Sequence, residues 1–227
     1  MHALLRNVAK ETLQTFCLPG QFVWRLPRSS SAIALTFDDG PHPVHTAEVL
    51  DVLAAAGARA TFFLLGQAVE QRPALAREIV AAGHAVGAHS FDHQVMPKQS
   101  AAELERDLER CRQTIAAATG VDTWLFRPPR GEVSMASIRS VCASGYRLVH
   151  WSKTFGDYRE TDAVALERRI DGARVRAGDI LLFHDHNPCT VRVLKTLLPR
   201  WVAAGMTFAT LADHPRGAAT AVNRYKA

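Results

Sequence analysis

The sequence predicts an α/β protein built as a single distorted barrel of about seven parallel strands wrapped in helices. From residue 32 onward, short apolar runs alternate with longer amphipathic segments, as in parallel strands joined by crossover helices. Polar residues cluster directly after these runs, and the ends of the strands of a closed barrel converge on one mouth. An open doubly wound sheet also explains the alternation, but it would spread these polar residues along an edge. A chain of 227 residues is short for two ordinary domains.

The apolar runs predicted as strands cover residues 32–37, 60–65, 85–90, 123–128, 147–151, 179–184 and 206–211. Amphipathic segments predict helices over 45–56, 73–82, 100–118, 134–144, 162–171 and 191–204. Several helices are expected to end at a glycine, as helix C-caps often do, and these are Gly57, Gly83, Gly120, Gly145 and Gly205. No Pro/Gly linker divides the chain. We therefore expect an N-terminal extension over 1–30, one catalytic domain over 31–214 and a C-terminal tail over 215–227.

The composition argues against nucleic acid as a partner and against disulfide bonds. Lysine and arginine outnumber aspartate and glutamate by 27 to 22, for a formal net charge of +5. The basic residues are scattered and form no run of the kind that binds nucleic acid, so nucleic acid is not an expected partner. The 4 cysteines lie far apart without paired spacing, which indicates free thiols in a reducing compartment rather than disulfides or a zinc knuckle.

The opening segment is basic, and its apolar residues recur at helical spacing. This pattern predicts an amphipathic helix packed on the domain, with a position on a membrane surface as the alternative. The segment lacks the apolar stretch of a secretory signal, and no run of about 18 apolar residues predicts a transmembrane helix. We therefore expect a cytoplasmic protein, with peripheral attachment to the inner membrane face as an option. The apolar residues concerned are Leu4, Leu5, Val8, Leu13 and Phe16.

Two adjacent carboxylates, Asp38 and Asp39, follow the first predicted strand. Because neighbouring side chains point in different directions, one carboxylate can bind a metal while the other serves as general base. The following Gly40-Pro41 is also typical of an ordinary turn, so this segment alone does not establish a site.

Two imidazoles, His89 and His93, follow the third predicted strand and are four residues apart. One helical turn or a tight loop would direct both at the same ion. With Asp39 they make two nitrogen ligands and one oxygen ligand, as expected of a hydrolytic zinc site with an open position for water. Zn²⁺ is the expected ion, and Co²⁺, Fe²⁺, Ni²⁺ and Mn²⁺ are also compatible.

The segment Arg127-Pro128-Pro129-Arg130 follows the fourth predicted strand. Its two prolines restrict the backbone to an extended course and favour a rigid turn. Arg127 is a candidate for holding Asp38 ionised and oriented, and the backbone amide of Arg130 is a candidate oxyanion donor. A loop with a surface arginine is the alternative interpretation.

His184 ends the sixth predicted strand and is the best candidate for a general acid. Asp157 is the candidate partner that would keep this imidazole protonated; a buried structural histidine is the alternative. His84 fits that structural role, and four further histidines are not expected to bind metal: His42, His45, His150 and His186.

Five motifs in one order make the chain similar to a known family. They are TFDDGPHP at 36–43, ATFFLLG at 60–66, HSFDH at 89–93, RPPRG at 127–131 and LLFH at 181–184. In these motifs, from about Ile33 to Leu211, the chain resembles the polysaccharide deacetylases, carbohydrate esterases of family 4 that share the NodB-homology domain. The resemblance implies a distorted barrel and a metal-dependent hydrolase that removes N-acetyl groups from N-acetylated sugars or polysaccharides.

The resemblance also implies roles for individual residues: Asp38 as base, Asp39, His89 and His93 on the metal, Arg127 orienting Asp38, and His184 as acid. Trp151 and Asp157 correspond to the segment after the fifth strand of the family.

Three positions depart from the family pattern. Arg130 and Tyr158 stand where aromatic residues, a Trp in the second case, are common, and Ala88 stands where an Asn often precedes the first metal histidine. Arg130, Trp151 and Tyr158 are nevertheless the expected substrate-binding residues. A guanidinium at Arg130 favours a negatively charged substrate, for example a phosphate or a lipid-linked diphosphate.

Two other functions agree with the same sequence. One is removal of a formyl or other N-acyl group from a lipid-linked amino sugar or a small amide. The other is a catalytically silent carbohydrate-binding homologue, against which the intact set of acidic and histidine residues argues. The sequence does not indicate an oligomeric state.

Overall fold

The computed structural model describes Lys10 and residues 20–214. The predicted amphipathic helix of the opening segment lies almost entirely outside the described residues, and the predicted tail over 215–227 lies wholly outside them. No helix in the described part of the chain is both long and apolar enough to cross a membrane.

Nine strands form the sheet in the described residues, and every pairing between them is parallel. The order is β1-β6-β5-β4-β3-β2-β8-β7, and β9 pairs with β2. All seven predicted strands are present, although several are shorter than predicted. The two additional strands, β1 and β7, have only two residues each, too few to produce a periodic pattern. The strands are β1 Phe22–Val23, β2 Ala32–Gly40, β3 Ala60–Leu64, β4 Ala85–Ala88, β5 Leu125–Phe126, β6 Arg147–Val149, β7 Lys153–Thr154, β8 Ile180–His184 and β9 Thr207–Phe208.

The sheet curls into a distorted barrel, which confirms the predicted fold class. Strands β6 and β7 follow each other in the chain but lie toward opposite ends of the strand order. The four residue steps from Val149 to Lys153 can span at most about 14 Å, so the two ends of the sheet lie close together. An antiparallel bridge between Arg25 and Asp179 also links the region after β1 to the start of β8. β1 itself lies within the segment predicted as an N-terminal extension.

Seven helices surround the sheet in the described residues, and all six predicted helices are among them. The helix α2 was not predicted, because it has six residues and is separated from α3 by Arg72 alone. α7 begins at Pro188 rather than at 191, because Asn187 caps it by accepting a hydrogen bond from the backbone of Cys189. The five glycines predicted to end helices all have positive φ. The helices are α1 His45–Ala55, α2 Gly66–Gln71, α3 Pro73–Ala81, α4 Ala101–Thr119, α5 Met135–Ala143, α6 Ala163–Gly172 and α7 Pro188–Ala203.

The adjacent strands β2, β3 and β8 pack against one another through large aromatic side chains. Phe37 lies between Phe62 and Phe183, with ring centroids 4.9 and 6.1 Å away, and all three side chains are fully buried. Large buried aromatic rings contribute strongly to core packing. This packing fixes the strand ends from which the polar side chains project.

Candidate active site

A bulge at the end of β2 separates the two adjacent carboxylates. Asp38 is in register with His184 on β8, whereas the pairing of β2 with β3 shifts between Asp38 and Gly40. Asp39 is the extra residue, with φ of 74°, and bulges of this kind redirect side chains next to active sites. A Cβ atom at Gly40 would lie 2.3 Å from Asp185 Oδ2, so this turn requires glycine. The bulge explains how Asp38 is buried while the neighbouring Asp39 points between His89 and His93.

Asp39, His89 and His93 form the one group of three or more metal-ligating side chains that converge in the described part of the chain. One ligand atom from each lies within 4.8 Å of the others. The Nε2 atoms of His89 and His93 both lie 3.4 Å from Asp39 Oδ1. That buried oxygen accepts no hydrogen bond in the described structure, so it is available to a cation. Two imidazoles and one carboxylate suit a divalent ion such as zinc.

The His89 ring is oriented by the backbone of the neighbouring strand. Its Nδ1 lies 2.8 Å from the carbonyl oxygen of Arg127 and must donate to it, which leaves Nε2 as the ligand atom. Burial lowers the pKa of His89 to about 3, although the charge of Asp39 opposes the shift. The imidazole is therefore neutral, the form that binds metals.

His93 lies on a loop rather than on a helical turn. The loop is held at Phe91, whose backbone amide donates to Asp107 Oδ1 at 3.0 Å and whose carbonyl accepts from Gln67 at 2.9 Å. The Phe91 ring packs directly on Gly66, where an added Cβ atom would lie 2.4 Å from it. His93 itself adopts φ of 64°. These contacts place the second imidazole opposite Asp39.

Arg127 is fully buried and contacts Asp38, the residue that the sequence analysis paired with it. Its Nη1 donates to Asp38 Oδ1 and to Thr36 Oγ1, both at 2.7 Å. Its Nη2 donates to the carbonyl of His150 at 3.2 Å, and the guanidinium lies 4.2 Å from the centre of the Phe63 ring. Burial raises the pKa of Asp38 above its ordinary value, while the charge of Arg127 opposes this shift.

Asp157 contacts both the ring and the backbone of His184. Asp157 Oδ1 lies 3.1 Å from His184 Nδ1, and its Oδ2 accepts from the His184 backbone amide at 2.7 Å. Burial alone would lower the pKa of His184, but the hydrogen bond and charge of Asp157 outweigh it and raise this pKa to about 9. His184 is therefore protonated near neutral pH.

Two residues that support Asp157 were not found from the sequence. Thr190 Oγ1 donates to Asp157 Oδ2 at 2.8 Å, and Asn187 Nδ2 donates to the Asp157 carbonyl at 2.6 Å. Both lie at the start of α7, where Asn187 and Pro188 together give an N-cap signal that could have located this end of the helix.

A cleft of about 600 Å³ brings the predicted site residues together. Arg127 and Asp157 are fully buried behind it. The three predicted substrate-binding residues form its walls, and the Tyr158 ring lies 5.3 Å from the His184 ring. The cleft is lined by Asp38, Asp39, His89, His93, Arg130, Trp151, Tyr158 and His184, with Thr154 and Leu182, which were not predicted.

The remaining histidines near the mouth do not join the converging group. His186 comes nearest, with Nδ1 3.8 Å from Asp39 Oδ2. His42 and His45 stack on each other at 4.8 Å, and His150 is buried against Trp151 with ring centroids 5.0 Å apart. His84 is buried and accepts from the backbone amide of Ala60 at 3.2 Å.

Comparisons with known proteins agree with the fold. The sequence profile of the polysaccharide deacetylases matches residues 25–149. A peptidoglycan-N-acetylglucosamine deacetylase of Bacillus cereus is 32% identical over 204 residues, covering 86% of this chain and 92% of the relative. A chitooligosaccharide deacetylase of Sinorhizobium fredii is 37% identical over 169 residues, covering 72% and 77%. A crystal structure of a peptidoglycan N-acetylglucosamine deacetylase superposes with a TM-score of 0.83 at 26% identity, over 90% of this chain and 97% of that one.

The profile match covers β2 to β6, the part of the barrel that carries Asp38, Asp39, His89, His93 and Arg127. The sequence similarity and the structural superposition therefore both cover most of the chain. The chain belongs to the polysaccharide deacetylase family, hydrolases that act on C–N amide bonds.

Proposed function

We propose that this protein is a metal-dependent deacetylase that removes N-acetyl groups from N-acetylated glycans. One observation carries the proposal. The group formed by Asp39, His89 and His93 opens into the same cleft as the ends of two buried pairs, Asp38 with Arg127 and His184 with Asp157. The named activities of the relatives from Bacillus cereus and Sinorhizobium fredii support the choice of an N-acetylated sugar as substrate.

The ligand set fits a divalent ion, since it offers two imidazoles and a carboxylate oxygen that accepts no hydrogen bond in the described structure. Such an ion, when bound, supplies a Lewis acid that polarises the acetyl carbonyl and lowers the pKa of an attacking water. Zinc suits this donor set best, and Co²⁺, Fe²⁺, Ni²⁺ and Mn²⁺ remain alternatives.

Asp38 acts as the general base in this proposal. Arg127 holds its Oδ1, so the other oxygen faces the cleft and can take a proton from the attacking water. The raised pKa of Asp38 makes the carboxylate a stronger base than an exposed aspartate.

His184 acts as the general acid on the opposite side of the reaction. Its Nδ1 is engaged by Asp157, so Nε2 carries the proton that passes to the departing amine. The backbone amide of Arg130, at the wall of the cleft, is proposed to stabilise the developing oxyanion. No side chain needs to form a covalent bond with the substrate.

The test is to incubate metal-loaded protein with chitotetraose and with peptidoglycan fragments, and to identify the released acid by mass spectrometry. We expect acetate and a glycan that has gained a free amine. Formate or a longer acid would instead indicate the alternative acyl substrates. The Asp38→Asn variant is the matched control, because it preserves the shape of the side chain. Binding of glycan without any acyl release by a folded, metal-loaded protein would contradict the proposal and indicate a silent homologue.

A further inference from the structure

A second depression, of about 500 Å³, adjoins the catalytic cleft. It lies between the 3₁₀ turn Asp157–Arg159 and the start of α7, and it shares Tyr158 with the cleft. His186 also lines it and donates through Nε2 to the Tyr158 carbonyl at 3.3 Å. The His186 ring lies 5.4 Å from the His184 ring. The two depressions therefore meet at Tyr158, next to the candidate general acid.

Two exposed arginines, Arg159 and Arg192, line this second depression. The guanidinium of Arg159 lies 5.2 Å from the centre of the Tyr158 ring, and that ring lies 5.3 Å from the His184 ring. The sum of these two distances is therefore the upper limit on the separation of the Arg159 guanidinium from the His184 ring. Arg192 projects from the second turn of α7, whose N-terminus adds partial positive charge at the same place.

The acidic residue of this depression is already paired. Glu160 Oε2 accepts from Arg169 at 2.6 Å, and its Oε1 accepts from the backbone amides of Thr161 and Asp162. Within residues 20–214, no carboxylate lies within ion-pair distance of Arg159 or Arg192. The local charge is therefore positive and available to a ligand.

We propose that Arg159 and Arg192 form a subsite for an anionic group, a carboxylate or a phosphate, carried by the sugar next to the one that is deacetylated. Guanidinium groups bind both anions through paired charge-assisted hydrogen bonds. This inference rests on the proposed deacetylase function and adds the charge of the substrate to it. The proposed subsite selects for negative charge beside His184. It is separate from Arg130, which the sequence analysis also expects to favour a negatively charged substrate.

The experiment compares three N-acetylated tetrasaccharides: one with lactyl carboxylates, the same glycan with those groups converted to neutral amides, and chitotetraose phosphorylated at the sugar flanking the cleaved N-acetyl group. The wild-type protein should deacetylate the charged glycans with higher kcat/KM than the amide. Arg159→Gln and Arg192→Gln should each lower kcat/KM on a charged glycan on the order of fivefold, and the double variant on the order of 20-fold. The amide should be almost unaffected. Added salt should reduce the preference of the wild-type protein.

Arg139→Gln is the matched control, because it removes an exposed arginine of α5 that lines neither depression. A preference for the carboxylate alone or the phosphate alone would identify the anion. Equal kcat/KM on charged and amidated glycans, unchanged in the double variant, would overturn the subsite while leaving the deacetylase proposal intact. Absence of acyl release from all three glycans would instead overturn the deacetylase proposal on which the subsite rests.

Discussion

Replacing Asp157 by asparagine tests the proposed general acid directly. The substitution keeps the size of the side chain but removes the charge that raises the pKa of His184 to about 9. Without that charge the pKa should return to its ordinary value near 6.5 or below, because burial alone lowers it. Because the raised pKa keeps His184 protonated above neutral pH, the wild-type protein should stay active there. The variant should therefore lose activity relative to the wild-type protein as the pH rises.

The size of the effect follows from the two pKa values. At pH 8 the protonated fraction of His184 should fall from about nine-tenths to about one-thirtieth, a loss of about 30-fold in activity. At pH 6 the loss should be less than about twofold, because His184 is largely protonated in both proteins.

The assay is the pH profile of kcat/KM on chitotetraose, which should be bell-shaped for the wild-type protein. Activity falls at high pH as His184 loses its proton and at low pH as Asp38 gains one. In Asp157→Asn the alkaline limb should move from near pH 9 toward pH 6.5. The Thr190→Val variant is the control, since it removes one hydrogen bond to Asp157 but leaves its charge. An alkaline limb that stays in place without loss of activity would refute the assignment of His184 as acid. An unmoved limb with an equal loss at every pH would instead mean that Asp157 has only a structural role.

Three further predictions concern the metal group and its neighbouring base. The His89→Ala and His93→Ala proteins should each lose bound metal in elemental analysis, whereas His45→Ala should retain it; full occupancy in the first two would show that the ion binds elsewhere. Asp38→Asn should keep its metal and lose activity by roughly 100- to 10,000-fold, and near-normal acetate release would exclude it as base. Arg127→Met should lower the free energy of unfolding by about 3–5 kcal/mol, because it leaves a buried carboxylate unpaired; chemical denaturation measures this, and an unchanged midpoint would contradict the proposed pairing.

The sequence was sufficient to predict the architecture and the convergence of the candidate site residues on one cleft. Strands such as β3 and β8 are buried over most or all of their length, so they appear as continuous apolar runs. Because parallel strands end at the same mouth, a histidine at the end of one run and an aspartate after another can be placed together from the sequence alone.

Other features depend on contacts that no local pattern contains. The bulge at Asp39 arises from a register difference between the two sides of β2, which requires knowledge of both neighbouring strands. Thr190 reaches Asp157 across 33 residues of chain, and a threonine in the first turn of a helix is ordinary in proteins without any active site. Arg159 and Arg192 line the same depression only because the start of α7 lies next to Tyr158.

Arg127 serves the site through two chemically separate parts. Its main-chain carbonyl fixes the His89 ring, whereas its side chain fixes Asp38. Any amino acid at this position supplies a carbonyl, but only arginine supplies the guanidinium. Under the proposed mechanism, a single mutation at codon 127 abolishes turnover while the His89 imidazole stays in place, so that a descendant protein keeps its metal-ligating residues and loses its chemistry. Retention of those ligating residues is then a poor guide to whether a homologue still works as an enzyme.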